Sequence, residues 1–171
     1  MKTKTPLKRK TPLRAKESFK KKEKTKFEIS EIKTSTRKAS RPTLMRKADD
    51  AFSLYIRTRD SQAYEGRAFK CISCGRVLPI DQADAGHMIN RAHMSLRFNE
   101  CNVNAQCRFD NRFREGDYSG YRKGLIEKIG EQKVLLLEAQ KNLTNKITNF
   151  ELELLAKHYK AETKKFKYQI K

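Results

Sequence analysis

The spacing of the cysteines is the feature that most constrains how this chain can fold. The motif C-I-S-C-G places Cys71 and Cys74 three positions apart, and after 32 intervening residues come Cys107 and Asp110 as a C-x-x-D pair. Two thiolates at this spacing can bind one metal ion while the glycine permits the tight turn beneath them. A second pair completes a tetrahedral site, and a carboxylate oxygen can be one of its ligands. The pattern predicts structural zinc held by these four residues, with Cys101 as a rival fourth ligand.

Other interpretations of the cysteines fit the sequence less well. Nothing marks the chain for an oxidising compartment, so disulfide pairing is not expected. A redox C-x-x-C motif normally opens a helix, whereas this one precedes a predicted hairpin at residues 77–80. Four reduced cysteines without a metal are the remaining alternative. If zinc is bound, it joins the two ends of segment 68–112 in a domain too small to hold its shape by burial alone.

Hydrophobic periodicity predicts helices on both sides of the cysteine segment. Apolar residues recur there at spacings of three and four, as on one face of a helix. Gly130 is a C-terminal stop signal, and Thr148 with Glu151 forms a capping box at the start of the last helix. The predicted helices cover residues 43–60, 117–129, 131–141 and a segment that begins at Thr148 and carries Leu152, Leu155 and Tyr159.

Positive charge is concentrated at the N-terminal end of the chain. Residues 1–47 contain 18 Lys or Arg and four acidic residues, which is +14 of the total net charge of +20. Without apolar periodicity this segment cannot bury enough surface to offset the entropy of ordering it. We therefore predict a disordered basic arm over 1–42, a helix plus zinc domain over 43–130 and a helical extension over 131–171. Such an arm would neutralise phosphates without sequence preference, and a tail that only aids solubility is the alternative.

The composition also limits the partners of the chain. No stretch approaches the roughly 20 consecutive apolar residues that span a bilayer, and no apolar run follows the N-terminal charges as in a secretory signal. We expect no membrane partner and a cytoplasmic location. The excess of positive charge calls for an acidic partner, and nucleic acid is the leading candidate.

A second group of polar residues in the cysteine segment favours hydrolytic chemistry. Asn111 follows Asp110 directly, so we expect it in the first turn of a short helix that faces a predicted loop containing Asp84 and His87. Asp84 and Asn111 offer oxygen atoms to a hard divalent cation such as Mg²⁺. A neutral His87 can accept a proton from an attacking water. Alone, His87 would be an ordinary hydrogen-bonded histidine, but the combination predicts phosphodiester hydrolysis.

Basic residues flank this predicted pocket. They are Arg91, Arg97, Arg108, Arg112 and Arg114. Arginine favours bidentate contact with phosphate, although Arg97 and Arg112 can instead pair with nearby acids. Because no base-reading motif is present, we expect recognition of DNA shape and backbone rather than of a sequence.

Several motifs, taken together, resemble the phage NinG (Rap) recombination nucleases. The resemblance covers about residues 44–140, in one order and at similar spacing. The motifs are Ile56–Asp60, Cys71–Gly75, Asp84–His87, Leu96–Glu100, Asn102, Gln106–Cys107, Tyr121–Arg122 and Leu125–Gly130. Asp84, His87 and Asn111 are also similar to recombination endonuclease VII, a member of the HNH or ββα-metal class.

The resemblance implies a fold, an activity and a set of roles. It implies an α+β fold in which a small zinc-stapled ββα-metal (HNH-like) domain carries flanking helices and the basic arm. The implied activity is metal-dependent cleavage of branched DNA, including Holliday junctions, during phage recombination in a bacterial host. His87 would be the general base, Asn102 would orient it through the backbone, and Asp84 with Asn111 would hold Mg²⁺ or Mn²⁺. The competing class is a non-catalytic zinc protein that binds DNA or RNA.

Partners other than DNA follow from the same reasoning. A junction resolvase benefits from two active sites, so we expect the two terminal helices to pair with a second copy of the chain. Packing of those helices on their own zinc domain is the alternative. Family context adds a phage recombinase or single-strand annealing protein as a partner.

The sequence departs from the family pattern at two positions. Asp110 stands where the family usually has a second cysteine, and Asn104 stands where it commonly has histidine. Asparagine cannot shuttle protons, so a catalytic role for that histidine would predict slow or absent activity here. His93 is a candidate substitute for it.

Overall fold

The computed structural model describes residues 39–170. The predicted disordered arm therefore lies, apart from its last few residues, outside the described residues. The fold in the described part is α+β, with five helices and two short antiparallel sheets. In chain order the elements are α1 (Arg41–Ser61), β1 (Ala68–Lys70), β2 (Val77–Pro79), β3 (Ala83–His87), β4 (Val103–Cys107), α2 (Arg108–Phe113), α3 (Tyr118–Ile129), α4 (Glu131–Gln140) and α5 (Asn149–Lys165).

Helix α1 confirms the helix predicted over 43–60 and begins two residues earlier. Pro42 lies in its first turn, where proline fits because the missing N–H has no helical partner. The buried face of α1 packs against α5 and forms the largest apolar cluster. Its members include Leu44, Ala48, Ala51, Phe52 and Ile56 of α1, and Leu152, Ala156 and Tyr159 of α5.

A hairpin is present, but the prediction that it follows the C-x-x-C motif is wrong, because β1 precedes the motif and β2 follows it. Phe69 pairs with Leu78, and the Cys71 amide donates to the Arg76 carbonyl at 2.8 Å just beyond the paired residues. Gly75 has φ +70°, a conformation that favours glycine, and its amide donates to the Cys71 carbonyl at 3.0 Å. The hairpin thus holds the two thiols on one tight turn.

The segment Asp84–His87 was predicted to be a loop, and this prediction is wrong. It lies in β3, which pairs antiparallel with β4 so that Ala83 opposes Cys107 and His87 opposes Val103. The short strand carries no alternation of apolar residues, so its pairing depends on β4, whose five residues are all buried. Gly86 is required by this packing, because a Cβ atom there would lie 2.2 Å from Oε1 of Gln106.

The C-terminal helices confirm the predicted boundaries and pack on the same chain. Helix α3 ends at Gly130, with φ +86°, and its buried Tyr121 and Leu125 contact Val134 and Leu137 of α4. The capping box of Thr148 and Glu151 starts α5 as predicted. These helices pack within the chain and also leave apolar residues exposed, so their pairing with a second copy stays a prediction. In the part of the chain that the structure describes, no helix combines the length and apolarity needed to cross a membrane.

Candidate metal centre and active-site cleft

Four side chains converge where β1 and β4 end. The three sulfur atoms of Cys71, Cys74 and Cys107 and a carboxylate oxygen of Asp110 all lie within 4.8 Å of one another. The Cys107 amide donates to the Cys71 sulfur at 3.2 Å, and the Asp110 amide lies 3.4 Å from the Cys107 sulfur. A set of three sulfurs and one carboxylate oxygen at tetrahedral spacing fits zinc, so this metal centre could hold a structural ion.

Three members of the metal centre are buried, and Cys74 is its exposed member. Asp110 is only 1% exposed, and its Oδ2 lies 3.1 Å from the Cys107 sulfur. Burial raises the pKa of Cys107 to about 12. Burial also acts to raise the pKa of Asp110, but hydrogen bonds from the surrounding thiols outweigh it and hold that pKa below its usual value.

Asp110 rather than Cys101 is the fourth member of the metal centre. Cys101 is exposed and lies outside the group. The sequence had left this choice open between the two residues. The chain supplies a carboxylate where a C-x-x-C pair would supply a second thiol.

A cleft of about 830 Å³ brings together the three residues predicted to carry hydrolysis. Asp84, His87 and Asn111 all line it, although they come from β3 and α2. Ser53 and Arg57 of α1 also line the cleft. Asn111 directly follows the metal ligand Asp110, so the metal centre also fixes the start of the cleft.

Asp84 is the anionic centre of the cleft. Arg112 donates to both of its oxygens, at 2.7 and 3.0 Å, and the Asn111 amide donates to Oδ2 at 3.1 Å. Burial acts to raise the pKa of Asp84, but the hydrogen bonds from Arg112 and Asn111 prevail and lower it. Asp84 is therefore a carboxylate at neutral pH and is able to attract a cation.

His87 is a half-buried, neutral imidazole at the end of β3. Its Nε2 lies 3.1 Å from the Arg97 carbonyl oxygen. Burial is the largest effect on the pKa of His87 and lowers it. The hydrogen bond to the Arg97 carbonyl opposes this, but the positive charges of Arg97 and Arg91 act with burial and the pKa stays lowered. When Nε2 carries the proton and donates to that carbonyl, Nδ1 is the basic nitrogen.

Asn102 lies behind His87 rather than beside it. Its side chain is fully buried, accepts from the Ile89 amide at 2.8 Å and donates to the carbonyls of Ile89 and Leu96 at 3.0 and 3.1 Å. Leu96 immediately precedes Arg97, whose carbonyl contacts His87. Any influence of Asn102 on the imidazole therefore passes through the backbone of the loop between β3 and β4.

The five predicted DNA-binding arginines divide into two groups. Arg91, Arg108 and Arg112 line the cleft. Arg97 and Arg114 do not, and both are near carboxylates, Arg97 at 2.9 Å from Asp49 and Arg114 at 3.7 Å from Asp110. The alternative of internal ion pairs is confirmed for Arg97 and also for Arg112, which pairs with Asp84.

Sequence reasoning missed Arg57. This residue of α1 lines the cleft, and its buried Nε has no hydrogen-bond partner among the described residues. The signal that could have found it is its position one turn after Ser53, away from the apolar face of α1. It adds a further cation to the lining of the cleft.

Two residues bear on the departure from the family pattern, Asn104 and His93, the candidate substitute for the family histidine. Both lie outside the cleft lining. Asn104 is 2% exposed, and its Oδ1 accepts from Arg59 at 3.1 Å and from Lys128 at 2.8 Å. It therefore belongs to a buried polar network beneath β4. His93 is half-buried in the loop before β4.

Comparison with known proteins gives one family and several relatives. The family described as "Bacteriophage Lambda NinG protein" matches residues 1–169. The chain is 38% identical to Protein ninG of Escherichia phage lambda over 99 residues, 57% of this chain and 45% of that protein. It is 40% identical to Protein ninG of Salmonella phage P22 over 87 residues, which are 50% of this chain and 39% of the relative. The matched region thus spans less than half the length of these relatives. No solved structure matches the chain.

Proposed function

This chain belongs to the NinG family of bacteriophage proteins, and from that membership and the cleft geometry we propose that it is a metal-dependent endonuclease for branched DNA. The observation that carries the proposal is the shared cleft of Asp84, His87 and Asn111. A module that only binds nucleic acid has no need of a carboxylate, a neutral imidazole and an amide around one opening. The substrate class, which includes four-way junctions, rests on the resemblance described above and on the basic charge of the chain.

The order of elements around the cleft supports an HNH-like arrangement. Strands β3 and β4 are antiparallel neighbours, and α2 follows β4 directly. This is the ββα order from which the ββα-metal class takes its name. The proposed catalytic residues lie on β3 and α2, while Asn102 immediately precedes β4.

Asp84 and Asn111 are the residues that would hold Mg²⁺ or Mn²⁺. The carboxylate of Asp84 carries the negative charge, and the Asn111 amide can turn over to present its oxygen in place of the NH₂ group. Two protein oxygens suit Mg²⁺, which commonly keeps several waters. A bound cation would supply charge neutralisation at the scissile phosphate and at the departing 3′ oxygen.

His87 would act as the general base. Its Nδ1 takes a proton from a water molecule while the water oxygen forms a bond to phosphorus. The bond from phosphorus to the 3′ oxygen breaks, and that oxygen is protonated from solvent. The products are a 5′-phosphate and a 3′-hydroxyl, and His87 returns its proton to solvent. The hydrogen bond between Nε2 and the Arg97 carbonyl holds the imidazole in the tautomer that this step needs.

Arginines of the cleft would hold the DNA backbone. Arg57 and Arg91 are not paired with carboxylates among the described residues, so both are available to phosphates. Arg112 is engaged by Asp84 and would become available when a cation binds that carboxylate.

Symmetric cleavage of a junction also requires two active sites, and we include a homodimer in the proposal. Helices α4 and α5 bury part of their apolar surface within the chain, but Leu135 and Leu136 of α4 and Leu154 of α5 are exposed and available for such a contact.

The test is cleavage of a synthetic four-way junction with Mg²⁺ or Mn²⁺, comparing wild type with His87→Ala. We expect His87→Ala to lose about 10²- to 10⁴-fold in rate, the usual contribution of a general base, while still binding the junction. His93→Ala is the matched control, since His93 lies outside the cleft lining, and it should cleave at the wild-type rate. If wild type cleaves no better than His87→Ala while both bind, the proposal fails and a non-catalytic zinc protein that binds nucleic acid is the remaining candidate.

A further inference from the structure

Helix α2 exposes a pair of aromatic rings next to the cleft. Phe109 is 56% exposed and Phe113 is 75% exposed. They are four residues apart and so lie on one face of the helix, with ring centroids 6.1 Å apart and planes inclined by 34°. The metal centre and the cleft account for Asp110, Asn111 and Arg112, but neither uses the two phenylalanines.

The surroundings of this aromatic pair are cationic. Arg108 and Arg112 are on the same short helix and line the cleft. Exposed aromatic faces with guanidinium groups beside them match a nucleic-acid strand, because the rings can stack on bases while the cations contact phosphates. The net charge of +20 is complementary to such a partner and unfavourable for another basic protein surface.

Whether the bases are paired determines which DNA can stack on these rings. In a paired duplex each base is stacked between neighbours, so a protein ring reaches a base face only where the stack is opened or a strand is unpaired. The pair lies on the same helix as Arg108 and Arg112, which line the cleft, so a base stacked on the rings would be close to the backbone that the cleft would hold. Stacking on rings is also tolerant of sequence, which agrees with the lack of a base-reading motif.

We propose that Phe109 and Phe113 form a stacking site for unpaired DNA bases at the edge of the cleft. The inference rests on the proposed function for the strand in the cleft and adds the feature of the substrate that is recognised. The chain would then prefer DNA with unpaired bases over a fully paired duplex even before any bond is cut.

Binding of two DNAs by the full chain tests this site. One is a duplex with a short single-stranded gap containing 2-aminopurine, and the other is a fully paired duplex of the same length, both without added Mg²⁺ or Mn²⁺. The double variant Phe109→Ala with Phe113→Ala should lose about tenfold or more in affinity for the gapped DNA, since stacking on one ring commonly contributes that much. Its affinity for the paired duplex should change by less than about twofold, because backbone contacts remain.

Phe150→Ala is the matched control. Phe150 is 74% exposed, about as much as Phe113, but lies on α5, a helix that contributes no residue to the cleft lining. This variant should bind both DNAs as wild type does. An equal loss on gapped and paired DNA in the double variant would overturn the stacking site, as would an unchanged affinity for gapped DNA.

A second measurement keeps the test valid if the alanine variant does not fold. The chain contains no tryptophan, so Phe113→Trp introduces a single indole on a surface ring that a larger aromatic can replace. Its fluorescence should be quenched by gapped DNA and much less by paired duplex, whereas Phe150→Trp should respond to neither. Equal quenching by the two DNAs would overturn the proposal. Because no cleavage is measured, base-dependent binding by a chain that fails to cut junctions would refute the nuclease and retain the stacking site.

Discussion

The metal centre and the cleft lie side by side on one short stretch of chain, yet they are built in opposite ways. Asp110 of α2 turns into the metal centre and is 1% exposed, while the next two residues, Asn111 and Arg112, line the open cleft. In the metal centre the polar groups face one another. In the cleft the charge of Asp84 is met by Arg112, whose side chain is 57% exposed.

This difference is the one expected between a structural metal site and a catalytic site. A structural metal site is closed because every ligand position is occupied by protein, whereas a catalytic site must leave positions for water and substrate. Because α2 contributes residues to both sites, the metal centre can fix the geometry of the cleft. The comparison therefore predicts that damage to the metal centre acts on folding and damage to the cleft acts on chemistry.

Loss of the metal centre should have the largest effect. Purified protein should contain about one zinc per chain, and Cys71→Ser should release it and unfold or loosen the described domain, because structural zinc can contribute on the order of 10 kcal/mol to folding. Metal analysis and thermal denaturation followed by circular dichroism measure both effects.

Cys101→Ser is the control for this experiment. Cys101 is a free, exposed cysteine outside the metal centre, so its replacement should leave zinc content and melting temperature unchanged. Finding iron or no metal in the wild-type protein would contradict the zinc prediction. An unaltered melting temperature in Cys71→Ser would show that the metal centre does not stabilise the fold.

Much of this contrast follows from local sequence signals, and the remainder depends on tertiary packing. The C-x-x-C turn, the stop at Gly130 and the capping box at Thr148 were predicted because each is determined by neighbouring residues. Strand β3 was missed because its pairing depends on β4, about twenty residues further along the chain.

The predicted site shows the same division. The four-residue metal centre could be predicted from spacing, since each half is a C-x-x motif whose ends fall on one turn. Which arginines remain unpaired could not be predicted from the sequence, because Arg97 is paired with Asp49, a residue 48 positions away. Arg57 was missed because it comes from α1, where the sequence signal described only the buried face.

The pH dependence of cleavage should separate the cleft from the metal centre by a smaller effect. His87 must be neutral to act as base, so the rate should fall about tenfold per pH unit below its pKa. Burial and the charges of Arg91 and Arg97 lower that pKa, against a smaller effect of Asp49, so the acidic fall should be centred below the ordinary value of about 6.5. Single-turnover rates between pH 5 and 8 measure it.

Arg91→Gln tests the physical cause of this shift. Removing one positive charge near His87 should raise its pKa and move the acidic fall toward higher pH. A rate independent of pH over this range would count against His87 as the base. A profile that Arg91→Gln leaves unchanged would mean that the charge of Arg91 does not contribute to the shift in the pKa of His87.

The smallest expected effect concerns the ion pair between Arg112 and Asp84, in which a guanidinium group occupies the carboxylate that a metal ion would need. Arg112 and a divalent ion need the same oxygens of Asp84, so Arg112→Gln should raise the affinity for Mn²⁺, by no more than about fivefold because solvent screens an exposed ion pair. Titration of the zinc-loaded chain by calorimetry, without DNA, measures this.

Arg91→Gln is the control. It removes the same charge from the same cleft without breaking a pair with a carboxylate, and should raise the affinity for Mn²⁺ less. If the two variants gain equally in affinity, the overall positive potential of the cleft limits cation binding. The pairing of Arg112 with Asp84 would then have no specific effect, and the cleft would differ from the metal centre only in its exposure to solvent.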